Sequence, residues 1–212
     1  MRHSFLVVAP VAAALGLGLG GTASDTISIG ARPLVASAGD RVAVSGVHSG
    51  GRGGVDITLE AKYCDETTWR EISATQTNAG GAWYLEYVPL ISQQIRAKGA
   101  GATSAEVKVQ TRPTLSLGQR PPGMFFVIVN AQRPFWHSKV VLQRFDARKR
   151  VWNDIRKVRL TETGAPPGVG YVWSGSDKVR VQVPKGTTMR AMLPRSEARP
   201  CYLAGYSNLL RR

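Results

Sequence analysis

The 212-residue chain is predicted to be an all-β protein, built as two tandem β-sandwiches behind an N-terminal export signal. Three observations predict this: an apolar N-terminal stretch, short segments that alternate apolar and polar residues, and a repetition of these segments in the second half. Hydrophobic residues make up 43% of the chain, too much for a disordered protein. The 23 glycines and 12 prolines recur along the sequence and disfavour long helices.

Residues 1–23 are predicted to be a secretory signal peptide. Arg2 and His3 form a basic start, an apolar stretch runs from Phe5 to Leu19, and small residues end at Ala23. The alternative is a membrane anchor, but the apolar stretch falls short of the roughly 20 residues that span a bilayer. We therefore expect a secreted protein, extracellular or cell-wall associated, with no transmembrane span after signal cleavage.

Residues 25–111 are predicted to form the first sandwich. Apolar residues occupy every second position from Val55 to Tyr63 and again from Trp83 to Tyr87, which places them on one face of a strand. Between these segments, Asn-Ala-Gly-Gly at 78–81 is a turn signal. Further strands are predicted at 42–46, 69–77, 95–97 and 107–109. About seven short strands at this spacing are typical of a β-sandwich.

Residues 112–212 repeat the same order and are predicted to form the second sandwich. Leu142 follows Leu59, and Trp152 follows Trp69, at an offset of 83 positions. The segment 189–191 follows 95–97 at an offset of 94. The growing offset predicts an insertion of about eleven residues at 165–176. Residues 111–113 are predicted to be a short polar linker between the halves.

Six motifs of the first half are characteristic of a known family. They are VxVSG at 42–46, GVDITLEA at 54–61, TWREI at 68–72, TQTNAGGAW at 75–83, IRA at 95–97 and SAEVKV at 104–109. The chain thereby resembles the bacterial Ig-like repeat domains of secreted and surface proteins of high-GC Gram-positive bacteria. The resemblance covers residues 27–111 well and 113–210 more loosely. It implies Ig-like sandwiches that act as spacers or binding modules, and it implies no catalytic residues.

The two halves differ in charge. Residues 25–111 carry 8 Lys+Arg and 9 Asp+Glu, whereas residues 112–212 carry 19 Lys+Arg and 5 Asp+Glu. Seven cations of the basic half fall in one predicted hairpin, where they would concentrate positive potential. They are Arg144, Arg148, Lys149, Arg150, Arg156, Lys157 and Arg159. The cluster predicts a contact with an anionic cell-wall polymer, an acidic glycan or an envelope protein; the alternative is a solvated face that keeps the protein soluble.

No motif for specific nucleic-acid recognition accompanies these cations. Aromatic residues of the same half are candidates for stacking contacts. Phe135 and Trp136 precede the basic hairpin, and Tyr171 and Trp173 flank the predicted insertion. Such aromatics would allow a carbohydrate-binding module as a second hypothesis, because exposed rings stack on sugars. The alternative is that they pack the insertion onto the sandwich.

The two cysteines, Cys64 and Cys201, lie one in each half. Export to an oxidising environment would allow a disulfide between them, and the alternative is two buried thiols. Neither cysteine has the neighbours of a redox or zinc site, and His48 and His137 are expected to be exposed loop residues. Motifs for nucleophilic, metal or cofactor chemistry are missing from the sequence. We therefore expect a non-catalytic protein without metal or cofactor.

Overall fold

The all-β prediction is confirmed: in the computed structural model, strands account for 56% of the described residues and helix for 2%. The structure describes residues 25–120, 123–168 and 170–212. The predicted signal peptide lies outside the described residues. No helix among the described residues is long and apolar enough to cross a lipid bilayer.

The first half folds as two facing sheets. Its strands are β1 (Gly30–Arg32), β2 (Val35–Ser37), β3 (Val42–Val47), β4 (Asp56–Tyr63), β5 (Arg70–Gln76), β6 (Ala82–Tyr87), β7 (Gln93–Gly99), β8 (Ala102–Thr103) and β9 (Val107–Arg112). One sheet has the order β1-β3-β6, and the other has the order β2-β9-β7-β4-β5 with β8 beside β7. The predicted alternation places Ile57, Leu59, Trp83 and Leu85 in the core between these sheets.

The second half has the same kind of core. Its elements are β10 (Thr114–Gln119), β11 (Met124–Ala131), β12 (Lys139–Asp146), β13 (Val151–Gly164), β14 (Val172–Ser176), β15 (Val179–Arg180), β16 (Thr188–Leu193), α1 (Arg195–Ala198), β17 (Gly205–Tyr206) and β18 (Leu210–Arg211). The 14-residue β13 pairs with β12 at its start and with β14 at its end. Because β13 passes from one layer to the other, β10, β11, β14 and β15 form one face and β12, β16, β17 and β18 the other. A separate hydrophobic cluster that includes Phe125 and Leu142 fills this half.

The repeat seen in the sequence has a counterpart in strand geometry. A β-bulge lies between Leu59 and Glu60, where β4 pairs with β5. A second bulge lies between Leu142 and Gln143, where β12 pairs with β13, again 83 positions later. Both bulged strands pair on their other side with the strand that carries the IRA-type segment, β7 or β16. The two halves thus repeat a bulge as well as a strand pattern.

The predicted polar linker is wrong, because residues 111–113 are not a free connection. Thr111 is completely buried, and only Pro113 separates β9 from β10. Ile91 of the first half belongs to the hydrophobic cluster of the second. The Thr114 hydroxyl donates to the Ala38 carbonyl at 2.9 Å across the seam. The two halves are therefore in contact through packed residues. The polar and proline residues at 111–113 give no sign of this packing in the sequence.

Candidate binding surfaces

The hairpin of β12 and β13 carries the predicted basic cluster, with residues 147–150 as its turn. The Asp146 Oδ1 atom accepts hydrogen bonds from the backbone N–H groups of Arg148 and Lys149, at 3.0 and 3.1 Å. Aspartate favours such a turn because its short side chain satisfies backbone donors two and three residues later. Arg150 has a φ of 55° and closes the turn. This local structure holds three cations at the exposed end of the hairpin.

The other four predicted cations lie along the strands and are also exposed. Lys157 and Arg159 alternate with buried core residues of β13, so they project from the outer face of the sheet. Arg144 lies near the turn end of β12. Arg156 turns to the margin of the sandwich and donates to the Arg180 carbonyl at 3.0 Å. The structure thus divides the seven cations into three groups. Three lie in the turn at 148–150, Lys157 and Arg159 project from the outer face, and Arg144 and Arg156 lie apart from both.

Lys139 adds a cation that the sequence analysis did not select. It lies directly opposite Arg159 in the β12–β13 register, and Lys157 lies two residues further along β13. Two positions along a strand are separated by about 7 Å, so these three cations form a compact outer group. Like charges directly opposite each other are unfavourable in a sheet. The register of the predicted hairpin was the signal that could have found Lys139.

We define Lys139, Lys157, Arg159 and the turn residues 148–150 as the basic strip. Within residues 25–120, 123–168 and 170–212, no member of the strip forms an ion pair. In each ion pair among these residues the carboxylate belongs to the first half, as in the pair of Glu60 with Arg96. Two acids lie near the strip but bond to its backbone: Glu197 accepts from the Lys139 N–H, and Asp146 accepts from those of Arg148 and Lys149.

Arg190 lies on the same outer face and is held in place by aromatic rings. Its guanidinium carbon is 4.1 Å from the centre of the Trp152 ring and 4.4 Å from that of Tyr206. The Arg190 Nε donates to the Gln143 side-chain oxygen at 2.8 Å. Burial lowers the pKa of Arg190, which remains a cation because arginine is protonated far above neutral pH. This face therefore carries one guanidinium held by aromatic rings beside exposed cations that form no ion pair.

The four predicted aromatic contacts do not form one site. Phe135 is 6% exposed and packs against Tyr202 with ring centroids 5.3 Å apart, so its prediction as a surface contact is wrong. Burial raises the pKa of Tyr202 to about 12. Trp136 is 58% exposed and stacks on His137 at 4.0 Å. The sequence does not show that Phe135 is buried and Trp136 exposed, because this difference arises from a turn of the chain between them.

Tyr171 and Trp173 lie together in a groove on the opposite side of the second half. The expected inserted loop is in part wrong, because Val172–Ser176 forms β14 in the middle of the sheet. The groove has a volume of about 810 Å³ and crosses the outer face of β10, β11, β13 and β14. Phe126 and Ile128 of β11 also line it. The sequence signal for these two is the unbroken apolar run of β11, in which every second residue faces away from the core.

Glycines bring the aromatic rings of this groove down onto the sheet. A Cβ at Gly164 would lie 2.6–2.8 Å from three atoms of the Trp173 indole, and one at Gly175 would lie 3.2 Å from a fourth. A Cβ at Gly118 would overlap the ring of Phe126. The two rings therefore cover backbone that carries no side chain. Both residues also line the groove.

The junction between the halves is tied covalently and by charge. Cys64 and Cys201 form a disulfide, with their Cα atoms 5.4 Å apart. Arg133 of the second half pairs with Asp65 of the first, at 3.0 Å between Nε and Oδ2. The hydrogen bond to Asp65 raises the pKa of Arg133, and burial acts weakly against it. A cleft of about 530 Å³ beside the disulfide is lined by two cations from each half; these are Lys62, Lys108, Arg195 and Arg199.

His48 and the residues around the disulfide lie in surroundings that the sequence does not reveal. His48 was expected in an exposed loop, but it is fully buried, and its Nε2 lies 3.7 Å from Asp25. The expectation failed because the β-bridge between Ile27 and His48 brings the start of the described chain over it. Among the described residues, the close group of potential metal ligands comprises Cys64, Asp65 and Cys201. Two of its three ligand atoms are the disulfide sulfurs, so this group does not form a metal site.

No protein-family model matches the chain, and no curated protein matches it either.

Proposed function

We propose that the chain is an exported, non-catalytic protein of two tandem Ig-like β-sandwiches, which acts as a binding module at the cell envelope. In this proposal, residues 112–212 contact an anionic polymer through the basic strip. The signal-like N-terminus and the resemblance to bacterial Ig-like repeats support export and the Ig-like assignment. Two hydrophobic clusters and the repeated bulge support a division into two related sandwiches.

The observation that carries the binding proposal is the lack of carboxylate partners for the exposed cations of the basic strip. Exposed cations that form no ion pair focus a potential of several kT on the surface and attract polyanions. Lys157 and the turn residue Arg150 are about 20 Å apart along β13, so the strip is extended. An extended row suits a polymer with repeated negative charges better than a single small anion.

The test is retention of the secreted chain on purified cell wall that carries its anionic polymers. We expect binding at about 0.15 M salt and its loss at about 1 M salt, because salt screens contacts between exposed charges. Charge reversal of Arg148, Lys149 and Arg150 together should weaken binding about tenfold or more, since each cation near an anionic surface contributes about 1 kcal/mol.

The matched control reverses three exposed cations outside the strip, Arg32, Lys108 and Lys185, for the same change in net charge. We expect that variant to retain most of the binding. Equal loss in both variants would mean that net charge acts without a site. Retention that survives about 1 M salt, or that persists after the anionic polymers are stripped from the wall, would overturn the proposal and favour an envelope protein as partner.

A further inference from the structure

We propose that the groove of Phe126, Tyr171 and Trp173 binds a short neutral oligosaccharide by stacking its pyranose rings on flat aromatic side chains. This site goes beyond the proposed contact with an anionic polymer. It lies outside the sheet of β10, β11 and β14, whereas the basic strip lies outside the sheet of β12 and β16. Because these are opposite sides of one sandwich, both ligands can be bound at once.

The aromatic rings of the groove are arranged as platforms. The indole of Trp173 occupies the space that a side chain at Gly164 would need and closely approaches Gly175, and the end of the Phe126 ring occupies that space at Gly118. An aromatic ring that stands upright between large neighbours offers only an edge, whereas a ring laid on glycine offers a face. One face of a pyranose ring is lined by C–H groups and packs on such a surface, burying apolar area on both partners.

The platforms are spaced for more than one sugar ring. Trp173 pairs in register with Asn130 of β11, and Phe126 lies four residues from Asn130 on that strand. Four residues of strand span about 13 Å. A short oligosaccharide covers that distance, and a single sugar ring does not.

Polar side chains stand beside the rings without partners of their own. Within the part of the chain that the structure describes, the side chains of Asn130, Glu162, Asp177 and Lys178 form no hydrogen bond or ion pair, although all four line the groove. Amide and carboxylate groups bind sugar hydroxyls, because a hydroxyl both donates and accepts. A few polar groups around apolar platforms are the usual composition of a small-ligand site.

The charge of the groove separates it from the basic strip. Its lining includes two cations, Arg120 and Lys178, and two anions, Glu162 and Asp177. The groove is therefore formally neutral in a half that carries 19 basic and 5 acidic residues. A neutral ligand fits this balance better than a polyanion. An extended peptide strand finds no open edge at β11 and β14, which are paired on both sides, and the outer edge of β10 is bonded at Leu115 and Leu117 by Ser207 and Asn208.

The experiment measures binding of neutral oligosaccharides to the full secreted chain by calorimetry and by tryptophan fluorescence. The probes are short chains of β-1,4-linked glucose, β-1,4-linked N-acetylglucosamine and α-1,6-linked mannose. We expect at least one to bind, with the same affinity at about 0.15 M and about 1 M salt. This salt independence also distinguishes the groove from the basic strip, whose ligand is lost in salt. Charge reversal at residues 148–150 should leave oligosaccharide binding unchanged.

Three variants locate the site. Trp173→Ala should weaken binding about tenfold or more, as loss of a central aromatic contact does. Gly164→Ala keeps the tryptophan but lifts its ring from the sheet, and we expect a comparable loss. Asn130→Ala removes a polar contact without touching the platforms, so it tests the site even where Trp173→Ala does not fold. Trp136→Ala is the control, because this exposed tryptophan lies outside the groove.

Four results would overturn the proposal. The first is that none of the three probes binds. The second is binding that neither Gly164→Ala nor Asn130→Ala weakens. The third is binding that Trp136→Ala abolishes, which would move the site to the Trp136–His137 stack. The fourth is a change in tryptophan fluorescence with a proline-rich peptide and with none of the sugars, absent in Trp173→Ala, which would make the groove a peptide site.

Discussion

The two halves of the chain stack an arginine on a tryptophan at equivalent places, but they surround it with different charges. In the first half, the Arg96 guanidinium lies 4.0 Å from the centre of the Trp69 ring and pairs with Glu60 at 2.7 Å. Lys98 approaches the same carboxylate at 3.0 Å. Burial opposes ionisation of Glu60, but the hydrogen bonds from Arg96 and Lys98 outweigh it and lower the pKa of Glu60.

In the second half, Arg190 stacks on Trp152 and bonds to Gln143, 83 positions after Glu60. Where the first half has Lys98, the second has Met192, which lies against the Gln143 amide at 3.7 Å. That amide also donates to Asp154 at 2.7 Å. An ion-pair network of one half is thus replaced by a hydrogen-bonded amide and a thioether in the other.

This difference shows how one strand framework accommodates two electrostatic characters. The bulge, the tryptophan and the arginine occur in both halves at the same places in the strand pattern. The carboxylate and one of its cations are replaced together, and the remaining Arg190 is held by the Gln143 amide and two aromatic rings rather than by a counter-ion. Charge can therefore accumulate at exposed positions of the second half, where it costs little stability.

The largest expected effect concerns the covalent tie between the halves. We expect that replacing Cys64 and Cys201 by serine lowers the free energy of unfolding by about 4–5 kcal/mol, because the bond closes a loop of more than a hundred residues. Urea unfolding of the variant and of the oxidised parent, followed by tryptophan fluorescence, measures the change. The reduced parent is the control and should match the variant. A difference below about 1 kcal/mol would show that packing at the junction alone holds the halves together.

A smaller effect should distinguish the two arginine sites by pH. Because the folded state lowers the pKa of Glu60 from its ordinary value of 4.5, its contribution to stability is present above that value. The contribution is lost as the pH falls through the folded pKa. Glu60→Gln should therefore cost about 1–2 kcal/mol at pH 7 and almost nothing in acid. Chemical unfolding at neutral and acidic pH measures this.

Glu71→Gln is the matched control, because Glu71 faces Glu60 across the β4–β5 register and is exposed. We expect a change within about 0.5 kcal/mol for that variant. If Glu60→Gln cost as much in acid as at neutral pH, its role would be packing rather than charge.

The smallest expected effect is a substitution in the second half that raises stability and weakens binding. Lys139→Glu places opposite charges across from each other where Lys139 and Arg159 now repel, so we expect a gain of about 0.5 kcal/mol in unfolding free energy. The same change should weaken retention on cell wall. Lys139→Gln should give a smaller gain. A variant that is less stable than the parent would show that the two cations do not repel across the strands.

Much of the strand architecture was predictable, and the failures have local causes. Ile57 and Leu59 alternate with polar residues, and a two-residue period leaves little choice about which face is buried. The hairpin from residue 139 onward was predictable for the same reason. The growing repeat offset predicts an insertion at residues 165–176, but an offset shows only that residues are added and not their conformation. Residues 172–176 form a strand because they pair on both sides.

The binding surfaces were predictable only in part. The seven cations could be located by their density, but their division into faces needed the register and the bulge at Gln143. Trp173 could be selected as an aromatic, but its flat position depends on Gly164, which comes from the neighbouring strand. Phe135 and Trp136 are adjacent aromatic residues of one predicted loop, but the first is buried and the second is exposed.

By itself, the sequence determined the all-β character, the repeated strand order and the contrast in charge, because these follow from residue types and short-range periodicity. The tertiary structure decided which cations share a face, that Cys64 meets Cys201, and that glycines of separate strands back the rings of the groove. Those features depend on which distant segments pair and in what register. Pairing is set by the packing of the whole core rather than by any single segment.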